Sequence, residues 1–151
     1  MSILVTGGAG FIGSQLLRTL VPFGERIVCI DNLSYAGTKG NIPDSVKHYQ
    51  IDICDKDAVE YIFDKEKFDT VFHLAAESHV DNSINDCGPF LNTNIIGTVN
   101  LLQLGIQYEI DRFMHVSTDE VFGSIEEGEF TENSKYDPRN PYSASKAASD
   151  H

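Results

Sequence analysis

Near its amino terminus the chain reads Ile3-Leu4-Val5-Thr6-Gly7-Gly8-Ala9-Gly10-Phe11-Ile12-Gly13. Ile3-Leu4-Val5 is a short apolar run that stops at a pair of glycines, as a buried strand would. Ile12, Leu16, Leu17 and Leu20 then recur on one helical face, which Pro22 and Gly24 close. The turn between them satisfies G-x-G-x-x-G through Gly8, Gly10 and Gly13, and G-x-x-G-x-x-G through Gly7, Gly10 and Gly13. The early glycines permit a tight turn and close backbone approach to a pyrophosphate, and Gly13 lets helix and strand pack closely. The helix amino terminus adds oriented N–H groups and partial positive charge. This spacing predicts a dinucleotide site. Asp31 follows Gly13 by 18 residues, near the ~20 expected of an acid that accepts ribose hydroxyls. It would repel a 2′-phosphate, so NAD is favoured over NADP. Arg26 begins the intervening strand at its far end and is discounted as a phosphate reader.

Outward from this unit, apolar runs alternate with helical stretches. Arg26 to Ile30 reads as a strand buried on both faces, because Ile27-Val28-Cys29-Ile30 lacks alternation. A polar loop runs to about Asp44. Val46 to Ile51, Thr70 to Leu74 and Phe113 to Val116 read as further strands, and Lys56 to Glu66 as a helix. Phe90 to Gln107 carries Leu91, Ile95, Val99 and Leu102 at helical spacing, an apolar face expected to pack on the sheet. Gly123 to Arg139 is a long acidic loop, and Pro141 opens a last helix. Strands joined through helices by short loops imply parallel pairing with right-handed crossovers, an α/β doubly wound parallel sheet of Rossmann-like type.

The 151 residues suit one core, with 41% hydrophobic and 23% charged residues. Eleven Lys plus Arg against 23 Asp plus Glu give a charge of −12, which argues against nucleic acid as a partner. No apolar stretch approaches the roughly 18 residues of a membrane helix. The amino terminus lacks a basic leader, so a cytoplasmic protein is expected. Cys29, Cys54 and Cys87 show no close pairing, which suggests neither a disulfide framework nor a zinc site; all three are expected to be buried small hydrophobes.

Two further constellations carry chemistry. Tyr142-Ser-Ala-Ser-Lys146 places a phenol and an ammonium one helical turn apart, and the ammonium lowers the phenol's pKa from about 10 towards working pH. Lys146 could also donate to a nicotinamide ribose. Ser117-Thr118-Asp119-Glu120 lies just past the carboxyl end of the fifth strand, where ligands of doubly wound sheets bind. Two adjacent carboxylates can divide acid and base roles if their surroundings differ. A solvated acidic loop is the bland alternative there, and it is the reading given to Glu126-Glu127-Gly128-Glu129. His73 is expected to be a packed strand residue, and His79 and Asp81 to lie in the loop after that strand.

Together these residues resemble the extended short-chain dehydrogenase/reductases, and among them the dTDP-glucose 4,6-dehydratases. The matching segments are residues 6–14, 31–37, 73–81, 117–121 and 140–151. The resemblance implies that Tyr142 takes the proton of a sugar 4-hydroxyl while NAD accepts hydride from C4, with Thr118 holding that oxygen. Glu120 then removes the C5 proton, Asp119 protonates the departing 6-hydroxyl, and hydride returns to C6, giving a 4-keto-6-deoxy sugar. It also implies Phe11 and Ile12 at the pyrophosphate, Asp31, Asn32, Leu33 and Ser34 around the adenosine ribose, and Asp52 with Ile53 at the adenine. Leu74, Ala75, Ala76, Ser78 and Thr93 would line the remainder. A nucleotide-sugar substrate and a homodimer, seamed by the helices near 90–107 and from 142, are implied as well.

The sequence departs from that pattern at Phe122, where tyrosine is usual, at Asn82, where arginine is usual, and at Pro89 beside Phe90. Family members are longer, so residues 1–151 are expected to be an incomplete NAD-binding domain without the carboxyl-terminal substrate domain, with little activity alone. The Asp119-Glu120 pair argues against a sugar-nucleotide 4-epimerase. A non-catalytic NAD-binding remnant is the other alternative.

Overall fold

The computed structural model describes residues 1–151. Its strands are β1 (Ser2–Thr6), β2 (Arg26–Ile30), β3 (Lys47–Tyr49), β4 (Thr70–His73) and β5 (Arg112–His115). Its helices are α1 (Phe11–Leu20), α2 (Lys56–Glu66), α3 (Val80–Asn85), α4 (Gly88–Phe90), α5 (Thr98–Gln107) and α6 (Pro141–Asp150), with a π-wound stretch, Leu91–Gly97, between α4 and α5. The chain divides into two compact units. One holds Met1–Ala75 and Gly97–Val116, the other Ala76–Ile96 and Ser117–His151.

The first unit is built on a fully parallel sheet in the order β3-β2-β1-β4-β5, the doubly wound architecture read from the sequence. Strand order reverses between β1 and β4, so the carboxyl ends of those two strands mark the switch point at which such sheets bind ligands. The period-two alternation of β1 and β2 sends side chains to opposite faces. Leu4, Val28, Ile30 and Val71 pack with Val59, Ile62 and Phe63 of α2 and Leu101 and Leu104 of α5. Ile3, Val5, Ile27 and Cys29 pack with Leu17 of α1, Ile42 and Val46. β2 is thereby enclosed on both sides, as its unbroken apolar run implies. β3 is shorter than the 46–51 run because it is an edge strand, and its ladder with β2 extends only from Lys47 to Tyr49.

The helix over 90–107 turns the other way from its apolar pattern. Its buried positions are Phe90, Asn94, Gly97, Thr98, Asn100, Leu101 and Leu104, while Leu91, Val99 and Leu102 are exposed and Ile95 is half-buried. Close approach and polar satisfaction decide this. Gly97 sits so near Ile53 that a Cβ there would lie 2.5 Å from its Cδ1. Thr98 Oγ1 bonds His73 Nε2 at 2.9 Å, and Asn100 Nδ2 donates to the Ile53 carbonyl at 3.1 Å. His73 is fully buried, and its Nδ1 meets Thr6 Oγ1 at 2.7 Å; it is the packed residue expected.

On α1 the buried face is Gly13, Ser14 and Leu17, and Ile12 lies off it, exposed. Among the cysteines only Cys29 is buried, and burial followed by the charge of Asp31 pushes its thiol up to about 12. Cys54 is half-buried and Cys87 exposed, because both lie in turns between elements and not on a strand. Asp81 is in the first turn of α3, with His79 as the residue that precedes it, instead of in a loop.

At the opposite end of α2, buried Glu66 collects three donors. Arg26 Nη1 donates at 2.8 Å and Lys47 Nζ at 2.6 Å, joined by the Tyr49 hydroxyl. The Lys47 and Tyr49 hydrogen bonds hold the Glu66 carboxyl below its ordinary value of 4.5. Arg26 is thus engaged in an ion pair with Glu66 at the start of β2.

Unfolding measurements test this packing in two ways. Leu101→Ala costs about 2–5 kcal/mol and Leu102→Ala under about 1 kcal/mol by denaturant unfolding; equal costs would contradict the burial reported for this helix. Because the folded state keeps Glu66 ionised at lower pH than the unfolded chain does, its contribution is complete above pH 4.5 and fades as pH falls further. Glu66→Gln therefore lowers Tm at pH 7 and flattens the acid limb of the Tm-against-pH curve.

Candidate functional site

Gly7 leaves β1 at φ +73°, the left-handed region that favours glycine, and a Cβ there would come within 2.6 Å of the Ala75 nitrogen. A Cβ on Gly13 would lie 2.1 Å from the Gly7 carbonyl oxygen, so α1 rests directly on the bend. Gly10 differs. Its only neighbour within reach is the Gly7 oxygen at 3.4 Å, and it caps α1 without any side-chain hydrogen bond. The first turn of α1 carries no acid, and the Phe11 and Ile12 side chains are 93% and 64% exposed. Uncapped helix N–H groups over an open glycine present the donors a diphosphate requires.

Asp31 is buried at 8% exposure. Its Oδ2 accepts the Ala9 N–H at 2.9 Å and its Oδ1 the Leu33 N–H at 2.8 Å. The Ala9 carbonyl in turn accepts from Thr38 N–H at 3.2 Å and Asn41 Nδ2 at 2.9 Å. The loop after β2 thus fastens the glycine bend at its middle residue, a role the spacing argument did not assign to Asp31. A carboxylate has lone pairs beyond these two, so the residue still fits a ribose hydroxyl.

Further along the same edge, Asn32 Nδ2 donates to Asp52 Oδ2 at 3.2 Å, and the Cys54 N–H donates to Asp52 Oδ1 at 2.8 Å. Burial pushes the Asp52 carboxyl up, but the Cys54 and Asn32 hydrogen bonds outweigh it and hold it below its ordinary value. Ser34 donates its N–H to Asn32 Oδ1. Asp52, Asn32 and Ser34 are exposed, whereas Ile53 gives its side chain to the core. Leu33, Leu74 and Ala75 are half-buried against the two cores.

The second unit carries the remaining candidates. Asn140 starts α6: its Oδ1 accepts the Ser143 N–H at 2.7 Å while Ser143 Oγ accepts the Asn140 N–H at 3.2 Å, and Pro141 occupies the first turn. The other end of the same amide donates to Glu120 Oε2 at 3.1 Å. Glu120 sits in a 3₁₀ turn, Asp119–Phe122, whose cap is Thr118: Thr118 Oγ1 accepts the Glu120 N–H at 3.3 Å. Asp119 is exposed and Glu120 half-buried. Two carboxylates side by side therefore meet different surroundings, the condition for dividing acid and base roles.

Tyr142 donates its N–H to Ser83 Oγ on α3 at 3.2 Å, and its ring meets Phe90 edge-on at 6.4 Å. One turn on, Lys146 is 3% exposed; burial lowers its ammonium below the ordinary value, and the Asp150 carboxylate opposes that. Asn94 in the π-wound stretch donates to Ser145 Oγ at 2.9 Å and exchanges two backbone hydrogen bonds with Glu77. Thr93 is half-buried in that stretch, and Ala76 and Ser78 are exposed. Within this unit the structure brings Thr118, Asp119 and Glu120 to the start of the helix that carries Tyr142 and Lys146.

Sequence reasoning missed Ser83, Asn94, Asn140 and Asp150. Asn140 was within reach, since Asn140-Pro141-Tyr142-Ser143 has the spacing of a reciprocal cap. Ser83 and Asn94 act on partners distant in sequence, so no local pattern signals them, whereas Asp150 lies four residues after Lys146 and its spacing was there to read.

The family model described as GDP-mannose 4,6 dehydratase matches residues 4–151. A probable dTDP-glucose 4,6-dehydratase of Sinorhizobium fredii is 46% identical over the whole chain, which covers 47% of that protein. Among solved structures, the dTDP-glucose 4,6-dehydratase of Streptomyces venezuelae, with NAD bound, superposes with a TM-score of 0.93 at 41% identity, over 99% of this chain and 49% of that one. The UDP-glucose 4-epimerase of Thermus thermophilus, also in complex with NAD, gives 0.95 at 37% identity over 100% and 49%. The chain spans about half the length of the curated relatives it matches.

The glycine geometry separates folding from binding. Gly10→Ala, with room for its methyl group, keeps Tm within a few degrees but abolishes measurable NAD binding by calorimetry. Gly13→Ala, forced against the Gly7 carbonyl, loses several degrees of Tm together with binding. Full NAD affinity in Gly10→Ala would show that no diphosphate approaches this bend.

Proposed function

The chain belongs to the GDP-mannose 4,6 dehydratase family, and on that premise we propose that residues 1–151 are the NAD-binding and proton-transfer portion of a sugar-nucleotide 4,6-dehydratase acting on dTDP-glucose. The observation that carries this reading is the second unit's juxtaposition of an acid pair with the phenol–ammonium helix: Asn140 caps α6 with one end of its amide and holds Glu120 with the other.

NAD, when bound, supplies the hydride acceptor for C4 of the sugar and the donor for C6. The open Gly10 and the N–H groups of α1 would hold its diphosphate, Asp31 its adenosine ribose, and the exposed Asp52 carboxylate the exocyclic amine of its adenine. Tyr142, as phenolate beside the Lys146 ammonium, removes the proton of the sugar 4-hydroxyl. Thr118 Oγ1 donates to the oxygen that becomes the 4-ketone. The ketone acidifies C5, and Glu120, oriented by the Asn140 amide, takes that proton and returns it to C5 once C6 has been reduced. Asp119 gives a proton to the departing 6-hydroxyl, so that water leaves.

The likeness to UDP-glucose 4-epimerases favours a second reading, in which the 4-ketone is reduced at C4 by hydride on its opposite face, its oxygen regains the proton, and nothing is eliminated. Asp119 and Glu120 would then have no work to do, which makes the dehydratase the better account. The epimerase and a purely NAD-binding module are the alternatives that product analysis separates. A homodimer is part of the same proposal, supported by the exposed apolar residues Leu91, Val99, Leu102 and Ile106 along one helical stretch.

Incubated with NAD and dTDP-glucose, the chain forms a 4-keto-6-deoxy sugar nucleotide more slowly than about 1 s⁻¹, and deuterium placed at C4 appears at C6 by NMR. Glu120→Gln lowers the rate at least ~100-fold. A galactose product would establish the epimerase, and NAD binding with neither product would establish the binding module.

A further inference from the structure

Tyr142, Lys146 and Asp150 recur at intervals of four along α6 and so share one face of that helix. Lys146 is among the most deeply buried residues of its unit, and a buried ammonium is costly to hold without a compensating charge. Asp150 is the carboxylate one turn further on, and it is not loose. Its Oδ2 accepts Ser117 Oγ at 2.6 Å and the Tyr136 hydroxyl at 3.0 Å. One donor comes from the residue immediately before Thr118, the other from the far end of the acidic loop.

The elements packed against α6 are α3, α4, the 3₁₀ turn Asp119–Phe122 and, through Asn94, the π-wound stretch, which carries no charged residue. Their charged groups are Asp81, Asp119 and Glu120. Asp81 and Asp119 are exposed, and Glu120 is engaged by Asn140. Arg139, just before the helix, is paired with Asp137. Asp150 is the carboxylate whose charge acts on Lys146, opposing the effect of burial, while desolvation first, and then the hydrogen bond to the same carboxylate, keep the Tyr136 phenol protonated to higher pH than usual, as a donor.

We propose that Asp150 is a positioning residue, the anchored counter-ion of Lys146, and that Ser117 and Tyr136 hold its carboxylate so that Lys146 stays charged within a buried site. The proposal rests on the dehydratase reading only for its consequence: a neutral Lys146 could not acidify Tyr142. Ser117 adds a mechanical link, because the residue that fixes the counter-ion also leads directly into Thr118-Asp119-Glu120. Helix α6 is thus tied to the segment of the acid pair at two points, by Asn140 at its start and by Asp150 further along.

The test reads the ammonium itself. In chain labelled with ¹³C-lysine, the Lys146 Cε resonance is assigned by its loss in Lys146→Met and followed against pH. Asp150→Asn retains an oxygen for Ser117 and Tyr136, so Tm changes little, and the Lys146 midpoint falls by about 0.5–2 pH units. Asp150→Glu restores it. Should Asp150→Asn fail to fold, Ser117→Ala keeps the carboxylate but frees it, and lowers the midpoint by a smaller amount. A midpoint unchanged in the folded variant overturns the proposal, as does a loss of Tm with no shift in titration, which would make Asp150 merely structural. Because the measurement needs no turnover, its failure leaves the dehydratase reading standing, and an inactive chain leaves this one testable.

Discussion

Helix α1 can start where it does only because nothing projects from Gly13. A Cβ at that position would lie 2.1 Å from the Gly7 carbonyl oxygen, inside any permissible contact, and Gly7 itself must take a left-handed φ to turn the chain off β1. The axis of α1 is thereby set against the end of the central strand, and its unpaired N–H groups point out beyond the carboxyl edge of the sheet. Register follows from the same bend. Gly7 donates its N–H to the Ile30 carbonyl at 2.9 Å, and Leu74 donates to Thr6 at 3.1 Å. The loops after β2 and β4 are hung from the strand end that carries the glycines.

Asp31 shows how one residue serves both fold and site. Its two oxygens hold the Ala9 and Leu33 amides, and Ala9 is held again through its carbonyl by Thr38 and Asn41. A flexible glycine bend is costly to order, and this clamp meets that cost before any ligand arrives, leaving the cradle preorganised. Asn140 works alike in the second unit. A neutral amide that caps a helix through its oxygen and orients a carboxylate through its nitrogen couples the start of α6 to Glu120.

How much of this was legible depends on the range of the interaction. The strand at 26–30 and the helix at 56–66 were readable because unbroken apolar runs and helical periodicity are local properties, and the structure returns both with the same bounds. The glycine motif was readable because its spacing meets local demands: Gly7 turns the chain at positive φ, and Gly13, six residues on, rests against the Gly7 carbonyl. The face of the helix over 90–107 was not. Two stripes competed there, and the more apolar one, with Leu91, Val99 and Leu102, lies outside because Gly97, Thr98 and Asn100 have specific partners at Ile53 and His73. Buried polar groups must be satisfied, and that requirement outweighed hydrophobic count. Cys54 and Cys87 were misread in the same sense: composition says cysteine is commonly buried, but turns between elements put these two towards solvent.

By itself the sequence determined the alternating parallel architecture, the glycine bend with its acidic follower, and the phenol–ammonium pair four residues apart, since these rest on backbone sterics, on local apolar runs and on spacings that can be counted along the chain. Only the tertiary structure decided that Asp31 clamps Ala9, that Glu120 hangs from the cap of α6, and that Asp150 is fastened by Ser117 and Tyr136. Those contacts join residues 14 to 33 positions apart, and a hydrogen bond depends on where two atoms meet in space, which no local pattern in the chain records.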